Sequence, residues 1–246
     1  MIEGGKQPTA GSTGVEVRWF GSTGELVALV ASRLAEHVAN RHVRTLAVSG
    51  GRVAGPFFQA TVSESQRRGV DWSGTHLFWA DERCVAADHP DSNFRVVREH
   101  LIEPLGIREE HVHRVRGELD PARAAREAEQ DLTRVAGREP LDLVVLGMGE
   151  DGHVASLFPG GEVRPDDEGR LYIPVVGPKP PPNRITLTYR AISEARAVWV
   201  LVSGEGKREA VEASVRGDWN LPLGRLASRR SQTQIFAAVS DMTEKF

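Results

Sequence analysis

The chain has 246 residues, of which 40% are hydrophobic and 26% charged, with a formal net charge of −3. This length can bury a large core, but the acidic balance lacks the positive field that nucleic acids or anionic membranes require. A single cysteine, Cys84, excludes a disulfide framework and a thiolate zinc site. No apolar run approaches the ~20 residues of a membrane span. The composition therefore predicts a soluble, cytoplasmic protein without nucleic-acid or membrane partners.

Helical and apolar segments alternate along the chain. Residues 1–14 are too polar to pack, so we expect a flexible tail followed by one domain over residues 15–246. Ser22 and Glu25 form a capping box, in which Glu25 is expected to reach the backbone N–H of Ser22; apolar spacing then predicts a helix to about residue 41. Further helices are predicted over residues 53–68, 91–103, 120–137 and 205–216. Short apolar runs predict strands over residues 45–51, 75–81, 141–149, 197–204 and 234–240.

The apolar runs indicate a fold class. Four of them are apolar on both faces rather than alternating, which is typical of a parallel sheet covered by helices. Strands that alternate with helices indicate βαβ units, and right-handed crossovers place helices on both faces. Two shorter runs, 171–176 and 185–190, flank a proline-rich link and are predicted to pair near a sheet edge. The predicted fold is a single α/β domain with a mostly parallel sheet.

Glycines and charged residues follow four of the predicted strands. The four segments are residues 49–52, 81–83, 147–153 and 203–207. Ligands of open α/β sheets bind in the crevice beyond the carboxyl ends of the strands. We therefore expect these segments to meet at one rim and to form a binding site.

The triplet Asp151-Gly152-His153 is the most informative of these motifs. Its glycine allows a tight turn, so both titratable side chains can point into one crevice. A histidine in such a place can take a proton from water near neutral pH. Asp151 is predicted to orient the imidazole or to contact a substrate. The alternative is a capping aspartate beside a structural histidine.

Several residues are candidate anion ligands. Ser49, Gly50 and Gly51 lie where a strand turns into a helix, and glycines there let backbone N–H groups approach an anion. Arg52 can bind phosphate oxygens through two N–H groups, although an ordinary tight turn would also explain this segment. Lys207, at the start of a helix, opposes the helix dipole and so predicts an anionic partner.

The charged end of the second predicted strand adds further candidates. Asp81 and Arg83 share one side of the strand, so both can face the crevice, whereas Glu82 is expected at a solvated rim. Arg184, after the proline-rich link, is another candidate anion contact, with a plain surface position as its alternative.

Two patterns that could indicate a cofactor or a metal are rejected. Residues 147–152 match the dinucleotide fingerprint, but Glu150 and Asp151 would repel a pyrophosphate. His111 and His113 lie on one side of a strand without an evident third ligand, so a solvated face is expected there. No cofactor and no metal are predicted.

These segments together resemble the 6-phosphogluconolactonase family, in matching order from about residue 45 to 240. The matching pieces are LDLVVLGMGEDGHVASLFPG, WADERCVAADHPDSNFRVVREHL, PKPPPNRITLTY and SGEGK. The resemblance implies a Rossmann-like domain, shared with glucosamine-6-phosphate deaminases and sugar-phosphate sensors, and metal-free hydrolysis of 6-phosphoglucono-1,5-lactone. It implies that His153 is the general base, with Asp151 beside it. It implies phosphate or sugar contacts at Ser49, Gly50, Gly51, Arg83, Lys207 and Arg184.

The chain also departs from the family pattern. SGGRVA stands where the family usually has SGGSTP, so residues 52–54 lose two hydroxyls and gain an arginine. Val154 replaces a threonine, and Ala86 stands where proline is common. A deaminase would carry a glutamate where this chain has Phe158, and a sensor would carry a DNA-binding segment ahead of the domain. A glucosamine-6-phosphate deaminase or isomerase and a non-catalytic sugar-phosphate-binding protein remain the alternatives.

Overall fold

The computed structural model describes residues 14–161, 169–230 and 232–239. The predicted tail up to residue 13, and the last residue of the strand predicted at 234–240, lie outside this range. The strands are β1 (Val15–Trp19), β2 (Thr45–Val48), β3 (His76–Trp79), β4 (Asp81–Arg83), β5 (Val112–His113), β6 (Leu143–Gly147), β7 (Tyr172–Val176), β8 (Asn183–Leu187), β9 (Ala197–Ser203) and β10 (Thr233–Ala238). The helices are α1 (Thr23–Ala39), α2 (Ala54–Arg68), α3 (Asn93–Val97), α4 (Glu103–Leu105), α5 (Pro121–Ala136), α6 (Tyr189–Glu194), α7 (Arg208–Val215) and α8 (Pro222–Ser228).

Seven of the described strands form one parallel sheet, in the order β1-β10-β9-β6-β2-β3-β5. The central strands are buried along almost their whole length. Because successive side chains point to opposite faces, both faces of the sheet are covered. This confirms the predicted parallel α/β fold. The sequence does not predict β1, whose side chains are mostly exposed, or β5, which has only two residues.

A second, antiparallel sheet contains β4, β8 and β7. The chain passes from one sheet to the other at Ala80, whose N–H donates to Val48 O (2.8 Å) while its carbonyl accepts from Leu187 N (2.7 Å). The two runs at 171–176 and 185–190 therefore pair with each other as predicted, but not at an edge of the parallel sheet. The second run ends early, because α6 begins at Tyr189.

Most helices begin and end close to the predicted residues. The hydroxyl of Ser22 accepts from Glu25 N (3.2 Å), but the Glu25 carboxylate accepts from Gly21 N (3.1 Å), one residue earlier than predicted. The helix predicted over residues 91–103 is interrupted, since a π-helical turn over Arg98–Ile102 separates α3 from α4. None of the helices in the described ranges has the length and hydropathy needed to cross a membrane.

The sequence predicted that His111 and His113 lie on a solvated face, and this prediction is wrong. Each is only 8% exposed, because the β5 edge packs the rings together. The Nε2 atom of His113 lies 2.9 Å from Nδ1 of His76, and its ring stacks on Phe78 at 4.7 Å. Burial and the neighbouring His76 lower the pKa of His113 from 6.5 to about 4. Within the described ranges, no group of three or more His, Cys, Asp or Glu side chains is arranged so that it could hold a metal ion.

The lowered pKa of His113 predicts that the folded protein becomes less stable as the pH falls. Between pH 6.5 and about 4, the unfolded chain binds a proton at His113 that the folded chain does not, so stability is complete above pH 6.5 and lost as the pH falls. We expect His113→Phe to remove about 2 kcal/mol of the decline in unfolding free energy between pH 7 and pH 4. Denaturant unfolding at both values measures this decline. His42→Phe, at an exposed histidine, is the control, and an equal decline in the two variants would contradict the prediction.

Candidate active site

A pocket of about 270 Å³ opens at the carboxyl ends of β2, β6 and β9. All four segments singled out in the sequence meet here, as expected for neighbouring parallel strands. Its lining includes Ser49, Gly50, Gly51, Arg52, Asp81, Arg83, His153, Arg184 and Lys207. Asp151 does not line the pocket but contacts it through His153.

The turn after β6 positions His153. Residues 148–161 form turns and isolated bridges instead of the helix that a dinucleotide fingerprint would open. Gly152 has a φ of +74°, which glycine adopts without the strain of a side chain. The turn is closed by the bond from Gly149 N to His153 O (2.9 Å), and Leu223 N, at the start of α8, donates to Gly152 O (3.2 Å). The backbone that carries the imidazole is therefore fixed by one hydrogen bond within the turn and by a second one from α8.

The imidazole of His153 is paired with Asp151. Its Nδ1 forms a hydrogen bond with Asp151 Oδ1. An ionised carboxylate can only accept, so Nδ1 carries the proton and Nε2 of the neutral ring is left as an acceptor. Burial raises the pKa of Asp151, but the hydrogen bond and charge of His153 outweigh it, so this pKa lies below its ordinary value. The pair can therefore accept a proton through Nε2.

Four cations of the pocket make no ion pair with any described residue: Arg83, Lys179, Arg184 and Lys207. Lys207 is only 8% exposed, and burial together with Arg52 lowers its pKa. Arg184 in β8 lies opposite Arg83 in β4 in the antiparallel strand register. Burial and the charge of Arg83 lower the pKa of Arg184. Buried like charges are costly unless an opposite charge compensates them. The pocket is therefore built to receive an anion.

Two buried donors at the pocket have no hydrogen-bond partner in the described part of the chain. They are the hydroxyl of Ser49 and Nε of Arg83. Another nitrogen of Arg83, Nη1, donates to Asp91 O at 2.6 Å, which fixes the side chain. An unpaired buried polar group costs about 1–3 kcal/mol, and a ligand with acceptor oxygens would remove that cost.

The two acids at the start of β4 have different environments. The Asp81 carboxylate faces the pocket and accepts from Ser156 Oγ (2.8 Å) and Asn93 Nδ2 (3.3 Å). Glu82 is only 2% exposed, so its expected place on a solvated rim is wrong. It accepts from the backbone N–H groups of Asn93 and Phe94 (both 2.7 Å) at the start of α3. Burial raises its pKa to about 7.

Arg52 lies at the pocket but is paired. Its Nη2 is 2.9 Å from Glu150 Oε1, and both side chains are largely exposed. Such surface pairs contribute about 0–1 kcal/mol, so a dianion can displace the carboxylate. Sequence reasoning placed Glu150 in one of the segments expected at the site without giving it a role there, and it missed Lys179 and Asn93 as pocket residues. The signal for Asn93 was available, because it opens a helix within a segment that the family resemblance already includes.

The fold and the pocket define an α/β protein with a cation-lined pocket at the carboxyl ends of its strands and an imidazole in that pocket. Residues 22–235 match the family model described as glucosamine-6-phosphate isomerases/6-phosphogluconolactonase. The chain belongs to this family.

Individual relatives agree with this assignment. A protein of Oryza sativa subsp. indica named "Probable 6-phosphogluconolactonase 3, chloroplastic" is 37% identical over 201 residues, which cover 76% of this chain and 61% of that protein. A 6-phosphogluconolactonase of Synechocystis is 36% identical over 188 residues, covering 74% of this chain and 75% of that protein. The crystal structure of a 6-phosphogluconolactonase from Shewanella baltica matches with a TM-score of 0.79 and 28% identity, covering 92% of this chain and 98% of that one. The chain thus spans about three fifths of the rice protein's length.

Proposed function

We propose that this chain hydrolyses 6-phospho-D-glucono-1,5-lactone to 6-phosphogluconate. The observation that carries the proposal is a proton-accepting imidazole, His153, in one pocket with unpaired cations and two unpaired buried donors. The lactone matches this combination, since it carries a phosphate dianion at one end and an electrophilic carbonyl at the other. The names of the relatives in rice, Synechocystis and Shewanella support the same activity.

The phosphate binds to the cationic part of the pocket. Arg52, Arg83 and Lys207 supply the positive charges that bind the phosphate. The backbone N–H groups of Gly50 and Gly51 supply further hydrogen-bond donors. The unpaired Ser49 hydroxyl and the Arg184 guanidinium complete the set. The Asp81 carboxylate, an acceptor inside the same pocket, receives a hydroxyl hydrogen of the sugar.

In the hydrolysis step, the imidazole of His153 acts first as the general base and then as the general acid. His153 takes a proton from water through Nε2 as the water oxygen forms a bond to the lactone carbonyl carbon. The tetrahedral oxyanion is stabilised by N–H donors of the strand ends or by an arginine. The imidazolium returns the proton to the ring oxygen as the bond from the carbonyl carbon to that oxygen breaks, which leaves a carboxylic acid that ionises. The imidazole moves each proton, so we propose no metal and no cofactor.

A coupled assay tests this function. The lactone is generated from glucose 6-phosphate, and formation of 6-phosphogluconate is recorded with and without the protein. We expect a rate above the spontaneous hydrolysis that rises in proportion to protein concentration. A rate equal to that in buffer would reject the proposal.

The deaminase alternative has a specific observation against it. Phe158, where that activity needs a carboxylate, is apolar, only 9% exposed, and packed against His153 at a ring distance of 4.9 Å. Release of ammonia from glucosamine 6-phosphate would favour the deaminase over the lactonase. Binding of sugar phosphates without turnover would favour a sensor.

We also propose a cytoplasmic location and one folded domain over residues 15–246. The single cysteine is free, as is usual in a reducing compartment. Cell fractionation tests the location, and recovery of the protein in the membrane or secreted fraction would contradict it.

Asp151→Asn tests the proposed role of the carboxylate. The amide can donate to Nδ1 and thereby favour the tautomer that carries its proton on Nε2, which cannot act as a base. We expect kcat to fall by about 10²-fold or more, by analogy with triads in which the same change selects the wrong tautomer. Asp88→Asn, at an exposed aspartate, is the control, and equal turnover in the two variants would refute the role.

A further inference from the structure

Phe158 contacts two residues that line the pocket, His153 and Arg184. Its ring centroid is 4.9 Å from that of His153, with the planes inclined at 41°. Cζ of Arg184 lies over the same ring, 5.5 Å from its centroid. We propose that Phe158 is a positioning residue that sets the placement of the general base relative to an anion-binding arginine; this inference rests on the proposed function.

The guanidinium of Arg184 is fixed by contacts of two kinds. Its Nε donates to Pro181 O (3.0 Å) and its Nη2 to Lys179 O (3.4 Å), both in the proline-rich link. Its Cζ lies over the Phe158 ring, a favourable arrangement for a cation on the electron-rich face of an aromatic ring. The guanidinium is thus fixed by hydrogen bonds and by the contact with the ring.

The Phe158 ring and Arg184 both pack closely against the backbone at Gly177. A Cβ atom at this position would lie 2.7 Å from Cε2 of Phe158 and 3.3 Å from Nε of Arg184. The backbone there is itself fixed, because Gly177 N donates to Pro182 O at 2.7 Å. Any side chain at position 177 would therefore displace the Phe158 ring or the Arg184 side chain.

Two separate substitutions should disturb the same geometry. Phe158→Leu keeps an apolar side chain but removes the ring that contacts the imidazole and the guanidinium. Gly177→Ala retains the ring but displaces it by contact. A misplacement of about 1 Å can cost about 10²-fold in rate, so we expect kcat to fall and KM to rise in both variants, with kcat/KM lowered about 10- to 100-fold.

The double variant separates positioning from general damage. Leucine is smaller than phenylalanine and leaves room for the alanine methyl group. The losses should then not multiply, since substitutions that act through one shared contact are not additive. We expect the variant with both Phe158→Leu and Gly177→Ala to match Phe158→Leu alone within about twofold.

The test measures kcat and KM of lactone hydrolysis for the wild type and these variants. Phe236→Leu is the matched control, because this buried ring packs on Phe20 and Trp199 in the core; it should leave kcat and KM unchanged per folded molecule, as checked by circular dichroism. If Phe158→Leu does not fold, Gly177→Ala decides the question alone.

Three results would overturn the inference. The first is wild-type kcat and KM in Phe158→Leu or, where that variant does not fold, in Gly177→Ala. The second is losses that multiply in the double variant. In both cases an active wild type leaves the proposed function intact. The third is a wild type that does not hydrolyse the lactone, which rejects the proposed function and the positioning role together.

Discussion

Replacement of His153 by alanine is expected to lower kcat for lactone hydrolysis by about 10²- to 10⁴-fold, the usual contribution of general base catalysis. The reason is that Nε2 of His153 is the acceptor that its pairing with Asp151 leaves free. The cations and the unpaired donors of the pocket stay in place, so KM should remain within a few-fold of the wild-type value. Initial rates, corrected for spontaneous hydrolysis of the lactone, measure both constants.

The control for this variant is a histidine outside the pocket. His42 is exposed, and His42→Ala should retain wild-type kcat and KM. If His153→Ala hydrolyses the lactone as fast as His42→Ala, the imidazole is not the base and the proposed mechanism is wrong.

The second large effect is expected from Lys207→Met, which keeps the buried aliphatic stem but removes the charge. Lys207 is buried beside Arg52 and has no carboxylate ion-pair partner among the described residues. A hydrogen bond to a charged group contributes about 1.5–3 kcal/mol, which corresponds to about 10- to 150-fold in affinity. KM should rise by that factor while kcat changes little, since the lysine binds the phosphate and moves no proton.

Competition by inorganic phosphate checks the same residue independently. Phosphate should inhibit the wild type competitively and inhibit Lys207→Met much more weakly. Arg216→Met, at an exposed arginine that ends α7, removes the same charge elsewhere and should resemble the wild type. An unchanged KM together with unchanged phosphate inhibition in Lys207→Met would show that this lysine does not contact the phosphate.

The location of the site could be predicted from the sequence because it depends on few long-range details. Apolar runs on both faces require a covered parallel sheet, and parallel strands bring their carboxyl ends to one side. The segments ending in Arg52, His153 and Lys207 therefore had to approach one another, and they line one pocket. The pairing of Asp151 with His153 is likewise local, because a single glycine turn separates them.

Errors arose where a contact depends on a distant segment. The burial of Glu82 is set by α3 and the loop before it, since Arg83 reaches Asp91 O and Glu82 accepts from the first N–H groups of α3. The histidines at β5 are buried because His76 comes from a different strand. The change of sheet at Ala80 has no local signal, since residues 77–80 form a continuous apolar run.

The placement of Phe158 could also not be predicted from periodicity. Its position depends on Gly177, which is far along the chain, and on Arg184 in β8. Sequence resemblance identified Phe158 only as the residue that stands in place of an acid. The structure adds that this ring contacts both His153 and Arg184.

A crystal structure with 6-phosphogluconate bound would test the central claim most directly. We predict that Nε2 of His153 lies within about 3.2 Å of the product carboxylate, a hydrogen-bond distance. The phosphate should contact Lys207 and Arg83 at the other end of the pocket. A phosphate bound beside His153, or a product bound outside this pocket, would contradict the account.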